Sequence, residues 1–116
     1  MGKIQDTIWL LTVKCKTPEY PWVEGTLEET TPDRSFVASS YGFQAKVYDE
    51  KSSFGINNGR VSKLMVWKND LGRKDSDRDT IANYERGWDI QPKDRLSKKV
   101  LKRIIDGLED TPKQLI

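Results

Sequence analysis

The segment Gly42–Lys68 constrains the fold of this chain more than any other. Alternating apolar and polar residues open it, a glycine- and asparagine-rich stretch follows, and a second apolar run closes it. Alternation with a period of two is typical of β-strands, and Asn-Gly supplies the positive φ angles of a tight turn. We therefore predict two consecutive strands, Phe36–Tyr48 and Arg60–Lys68, with Asn58-Gly59 turning the chain between them. Gly42, inside the first strand, predicts a bend or bulge.

Other parts of the chain carry weaker strand patterns. Thr7–Lys14 has apolar residues on both parities, and prolines separate it from a second alternating run, Trp22–Glu28. Thr80–Trp88 alternates again, and Gly87 marks the end of the alternation. We predict a strand over each of these three segments, with a short helix as the alternative for Thr7–Lys14. The polar and charged stretch 69–79 predicts a mobile loop.

The C-terminal region has a helical period. Asp94 can cap the first turn, and Thr111-Pro112 ends the element because a residue before proline avoids the helical region. The apolar residues that recur at helical spacing are Leu96, Val100, Leu101, Ile104, Ile105 and Leu108. Because these residues fall on one half of the helical wheel, we predict an amphipathic helix over 95–110 that packs on the sheet.

These elements define the predicted fold class. The chain has 116 residues, enough for one domain that buries about two-thirds of its unfolded surface. We predict a single α+β domain over 1–116: an antiparallel β-sheet meander of about five to six strands, with one C-terminal amphipathic helix packed on a face.

Composition argues against most catalytic mechanisms. The chain contains no histidine and one cysteine, which removes Ser-His and Cys-His nucleophiles, most zinc sites and any internal disulfide. Carboxylates are plentiful, but no pair is set apart by an apolar environment that would separate their pKa values. We predict no enzymatic activity, no catalytic residues, no metal site and no cofactor.

Two short motifs resemble metal sites incompletely. Residues 75–79 begin like a calcium loop, but Thr80 stands where glycine is needed and Arg86 where the bidentate glutamate belongs. Asp33, followed by Gln44 and Lys46, resembles a metal-dependent nuclease signature in which glutamine replaces a carboxylate. A metal-dependent carboxylate enzyme is therefore the third hypothesis.

The candidate binding residues are aromatic and basic. Trp, Tyr and Arg concentrate binding energy at protein interfaces, and the predicted protein-binding residues are Tyr84, Arg86, Trp88, Tyr48 and Lys46. The alternative is a single-stranded nucleic-acid-binding module that uses sheet aromatics and a basic helix face formed by Lys98, Lys99, Lys102 and Arg103. A net charge of +2 is too small to favour nucleic acid by itself.

Nothing in the sequence predicts a membrane or export signal. No apolar run approaches the roughly 20 residues that span a bilayer, and the N-terminal segment lacks the features of a signal peptide. A lone cysteine fits a reducing compartment. We therefore predict a cytoplasmic protein without membrane contact.

Three runs carry a resemblance to other proteins: Tyr41–Glu50, Phe54–Leu64 and Tyr84–Asp89. Together they resemble a group of small uncharacterised proteins from Gram-positive bacteria, their phages and mobile elements. The resemblance covers the middle and C-terminal two-thirds of the chain and carries no assigned activity. It implies a context in which small accessory proteins bind and block a host protein complex, such as a defence nuclease, in the manner of an anti-CRISPR protein.

Overall fold

A computed structural model describes residues 6–15, 22–69 and 79–110. The elements in chain order are β1 (Ile8–Cys15), β2 (Trp22–Thr30), β3 (Val37–Val47), a 3-10 turn (Ile56–Asn58), β4 (Val61–Asn69), β5 (Asp79–Glu85), β6 (Trp88–Ile90) and α1 (Arg95–Glu109). Each strand pairs antiparallel with the next, and the sheet order is β1-β2-β3-β4-β5-β6. The predicted antiparallel meander with one C-terminal helix packed on it is confirmed.

The core lies between α1 and one face of the sheet. On β3, Tyr41, Phe43, Ala45 and Val47 share this face and are all buried, as the alternating sequence predicts. Phe43 lies opposite Gly25 of β2, where a Cβ would collide with its ring. The helix contributes Val100, Leu101, Ile104 and Leu108 to the same cluster.

β3 has no bulge at Gly42, so that part of the expectation from sequence is wrong. Gly42 pairs in register with Thr26 on one side and Trp67 on the other. A Cβ at Gly42 would meet the indole of Trp67, so this ring packs directly over the glycine on the face away from α1. Gly42 is therefore a site of close side-chain approach, and the register shifts lie elsewhere.

A register shift decides which residues of β4 reach the core. Between β3 and β4 the pairing moves from Lys46↔Lys63 to Val47↔Val61. Strict alternation would put Val61 and Leu64 on opposite faces, yet both are buried. The extra residue at Ser62 restores a common face, as a β-bulge does.

The predicted single strand Thr80–Trp88 is wrong: the chain makes a hairpin there. Arg86 adopts a positive φ of 62°, and the Glu85 amide donates to the Gly87 carbonyl at 2.9 Å. Trp88 then pairs with Tyr84 and begins β6. The left-handed position falls on arginine, which disfavours it, so the sequence gives little sign of this turn.

Helix α1 begins as predicted. The carboxylate of Asp94 accepts a 2.7 Å hydrogen bond from the Ser97 amide, which is the N-cap interaction that also lowers the Asp94 pKa. Leu96 does not join the core and is 48% exposed. The buried stripe starts one turn later, at Val100, so Leu96 lies beyond the contact with the sheet.

The last turn of α1 is tied to the loop between β3 and β4. The Glu109 carboxylate accepts hydrogen bonds from the amides of Arg60 at 2.7 Å and Val61 at 3.2 Å. The Arg60 guanidinium donates to the Glu109 carbonyl at 3.0 Å. A Cβ at Gly59 would collide with the Glu109 carboxylate, so glycine is needed for this approach.

The predicted Asn58-Gly59 turn is misplaced by one residue. Positive φ angles occur at Asn57 (54°) and Asn58 (59°), whereas Gly59 has a φ of −99°. Asparagine tolerates the left-handed region because its short polar side chain bonds locally. Gly59 is instead required by the clearance for Glu109.

Candidate interaction surface

Trp88, at the tip of the β5–β6 hairpin, packs against one buried neighbour, Tyr84. Its indole packs edge-on against the ring of Tyr84, with 5.0 Å between ring centroids. Tyr84 is itself buried, and its hydroxyl donates to the Phe54 carbonyl at 3.0 Å. The Arg86 guanidinium lies 5.4 Å from the Phe54 ring centroid. These contacts join the hairpin to the β3–β4 loop and place Trp88 against Tyr84.

A recess between Trp88 and α1 forms what we call the Trp88 groove. It encloses about 300 Å³. Its lining residues are Ile56, Asn57, Trp88, Pro92, Lys98, Leu101, Lys102, Ile105 and Asp106. Apolar side chains from the loop, the hairpin and the helix supply most of the wall, while two lysines and one aspartate stand in it. Trp88 keeps 37% of its surface exposed.

A second, polar cleft borders the same tryptophan. It has a volume of about 560 Å³ and is lined by Lys63, Glu85, Arg86, Gly87, Trp88 and Asp89. Lys63 and Glu85 form an ion pair of 3.0 Å across it. The hydrogen bond from Lys63, followed by its charge, lowers the pKa of Glu85. Trp88 thus separates an apolar groove from a charged cleft.

The five predicted protein-binding residues do not form one surface. Trp88 and Arg86 are exposed at the hairpin tip, but Tyr84 is 9% exposed and serves to position Trp88. Lys46 lies on the face of the sheet away from α1, because its neighbours Ala45 and Val47 point into the core.

Lys46 and Tyr48 have surroundings of their own. The Lys46 ammonium lies 5.1 Å from the Trp22 ring centroid. Tyr48 is 37% exposed just past the end of β3, and its amide donates to the Arg60 carbonyl at 3.0 Å. Neither residue lines the Trp88 groove.

The four basic residues predicted on the helix also have different surroundings. Lys98 and Lys102 line the Trp88 groove, and Lys102 forms a 2.7 Å ion pair with Asp106 one turn away. The Arg103 guanidinium lies 5.2 Å from the ring centroid of Trp9 in β1. Lys99 is exposed. These four cations therefore face different neighbours along the helix.

The nuclease-like motif is not assembled. Asp33 lies in the β2–β3 turn, where the amide and hydroxyl of Ser35 and the hydroxyl of Thr31 donate to its carboxylate and lower its pKa to about 2. Lys46 is near the opposite end of β3, about 30 Å away by the strand rise. Within residues 6–15, 22–69 and 79–110, no three Asp, Glu or Cys side chains cluster as metal ligands do.

Two segments singled out by sequence lie partly outside the described residues. The predicted 69–79 loop is bounded by the end of β4 and the start of β5. Residues 70–78, and with them most of the calcium-like motif, lie outside the described residues.

Sequence reasoning missed the loop and helix walls of the Trp88 groove. Leu101 and Ile105 were assigned to the core by their helical spacing, and both also line the groove. Phe54 sits in the loop with 58% of its surface exposed, beside Arg86. An aromatic residue in a Gly-rich loop was the available signal.

Fold and surface together define a class: a single-layer antiparallel meander backed by one helix, with an aromatic groove at the hairpin end. The chain belongs to the family described as Domain of unknown function (DUF7678), whose match spans residues 21–109. That range runs from the start of β2 to the last residue of α1. No curated protein and no solved structure matches the chain. Within the described residues, no helix combines the length and apolar character required to cross a membrane.

Proposed function

We propose that this protein is a non-enzymatic interaction module that binds another protein through the Trp88 groove. The observation that carries the proposal is the setting of Trp88: held edge-on by Tyr84, 37% exposed, and open to a recess walled by Leu101 and Ile105. An exposed tryptophan fixed beside an apolar recess is the usual anchor of a protein interface. Arg86 and Phe54 extend the same surface toward the loop.

The charges around the groove favour one kind of partner segment. Lys98 and Lys102 stand on its helix side, and Asp106 pairs with Lys102. An apolar side chain entering beside Trp88, followed by a carboxylate near Lys98, would complement both features. The expected ligand is therefore a short segment that carries apolar and acidic residues.

The finer proposal concerns the identity of the partner. The resemblance to proteins of phages and mobile elements supports a host protein complex in the cytoplasm as the target. A defence nuclease, blocked by occupation of one of its surfaces, is the specific case we put forward. This part rests on the resemblance carried by Tyr41–Glu50, Phe54–Leu64 and Tyr84–Asp89.

Affinity capture from a lysate of a Gram-positive bacterium tests the main proposal. We would compare the wild type with Trp88→Ala, and use Phe36→Ala as the matched control. Phe36 is a 62% exposed aromatic residue next to the β2–β3 turn, at the opposite end of the sheet. Proteins retained by wild type and Phe36→Ala but lost with Trp88→Ala support the groove. A protein set that is unchanged by Trp88→Ala rules it out.

Nucleic-acid binding stays the second hypothesis. Lys98 and Lys99 are both exposed near the start of α1, so they are the cations to test. Binding through phosphate contacts falls steeply as salt rises. Single-stranded DNA that binds at low salt, and is released by Lys98→Glu/Lys99→Glu but not by Trp88→Ala, would favour this hypothesis over the protein-binding one.

A further inference from the structure

Strand β1 forms one edge of the sheet. Among the described residues it pairs with β2 alone. Its eight residues include Ile8, Trp9, Leu10, Leu11 and Val13, with Lys14 as its single charge. Natural edge strands are usually short, charged or interrupted, because a long apolar edge is a template for pairing with another chain. β1 spans eight residues and carries only one such protection, the charge of Lys14 near its end.

The side chains of β1 are half-covered in a way that fits a continued sheet. Trp9, Leu11 and Val13 face α1 and pack against the core, yet remain partly exposed. The helix reaches this edge, since Arg103 lies over Trp9 and a Cβ at Gly107 would meet the Leu11 side chain. Within residues 6–15, 22–69 and 79–110, both the sheet and the helix layer therefore stop at β1, where Trp9, Leu11 and Val13 stay partly exposed.

We propose that a second copy of this chain pairs antiparallel with β1, which makes a two-fold symmetric dimer with a continuous twelve-stranded sheet. In this dimer the two-fold axis is perpendicular to the sheet, so both copies place α1 on the same face. Odd-numbered residues of β1 can then pair only with odd-numbered residues of the second copy, and even-numbered residues only with even-numbered ones. The register centred on Leu11 satisfies this condition. It places Trp9 opposite Val13 of the second copy, and Leu10 opposite Thr12.

The charges of the edge are compatible with this register. Lys14, the only charge on the strand, lies opposite Ile8 rather than another lysine. Arg103 and Gly107 of α1 lie at the border near β1, and Asp110, the residue that caps the end of α1, follows them at helical spacing. Around an axis at Leu11, beside Gly107, the two helices run antiparallel. Arg103 of one copy then lies on the side of Asp110 of the other.

Charge placed on the open face of β1 tests the proposal. We would measure the mass of the full chain in solution by light scattering at high micromolar concentration. The wild type should give about twice 13.4 kDa. Leu10→Lys/Thr12→Lys brings lysines together across the axis and should give a monomer. Leu10→Glu/Thr12→Glu should also give a monomer, and mixing the two variants should restore the dimer mass.

A matched control separates edge pairing from other association. Met65 lies on the same open face, in central strand β4, and is 38% exposed. Met65→Lys should leave the dimer intact. Wild-type protein that stays monomeric, or charged β1 variants that stay dimeric, would overturn the proposal. Dissociation of the dimer by Met65→Lys would also overturn the proposal, because it would show that the two copies associate through the open face of the sheet and not through the β1 edge. The mixing result stays informative if either charged variant folds poorly alone.

Discussion

The bond between α1 and the β3–β4 loop yields the most quantitative prediction. Glu109→Ala removes a carboxylate that accepts from two backbone amides, at 2.7 Å from Arg60 and 3.2 Å from Val61. Hydrogen bonds to a charged group contribute about 1.5–3 kcal/mol each. Because Glu109 is half-buried, water can replace part of this stabilisation in the variant. We therefore take the two hydrogen bonds together as worth about 2.5 kcal/mol of folding free energy.

The interaction of Glu109 with the helix dipole offsets part of the stability lost in Glu109→Ala. An anion at a helix C-terminus is unfavourable by about 0.3–1 kcal/mol, which the substitution relieves. The net cost is therefore about 2 kcal/mol. For a chain of this length, 1 kcal/mol shifts the midpoint of thermal unfolding by about 3–6 °C. We expect Glu109→Ala to lower that midpoint by about 6–12 °C.

Thermal unfolding followed by circular dichroism checks this value. Asp110→Ala is the matched control: it removes the neighbouring negative charge but keeps the backbone bond from residue 110 to the Asp106 carbonyl. Glu109→Gln, which retains an acceptor oxygen without charge, should fall between the two. Equal midpoints for Glu109→Ala and Asp110→Ala would refute the inference that the carboxylate ties helix to loop.

Three further outcomes follow from packing and charge. Gly42→Val forces the Trp67 indole off β3 and should cost about 2–3 kcal/mol in urea unfolding. Ile104→Asp places a charge at a fully buried position and should abolish cooperative melting. Asp33 has its pKa lowered to about 2, so its stabilising contribution is present at neutral pH and lost as pH falls from about 4 to 2. Asp33→Asn should therefore melt lower than wild type at pH 6, and the two midpoints should approach each other as pH falls through 4 and converge below the Asp33 pKa of about 2.

Local patterns were enough to predict the sheet and the helix. The parity of β3 identified its buried residues, and the N-cap at Asp94 placed the start of α1. These features depend on neighbours in sequence, where hydrophobic period and capping chemistry act directly. The bulge at Ser62 was missed because it is set by pairing with β3, and the turn at Arg86 was missed because arginine disfavours the left-handed conformation that it adopts there.

Glu109, at the acidic end of α1, is a further residue whose role depends on parts of the chain that are distant in sequence. Glu109 opposes the helix dipole, so the sequence around it does not explain a carboxylate at this position. In the structure its carboxylate binds loop amides 49 and 48 residues away in sequence. The Trp88 groove could not be predicted for a similar reason. The helical spacing of Leu101 and Ile105 predicts core residues, and they line a groove only because Trp88 lies opposite them in the structure.

The two proposed surfaces lie at opposite edges of the sheet, and this separation is itself testable. Trp88 is on β6 and Leu10 on β1, five strand spacings or about 24 Å apart. Substitutions this distant should act independently. Trp88→Ala should lose the captured partner and keep the dimer mass, whereas Leu10→Lys/Thr12→Lys should become monomeric and still retain the partner. Loss of capture by the β1 variant as well would contradict independence. It would show instead that the partner requires two grooves at once, since linking two sites raises apparent affinity without new contacts.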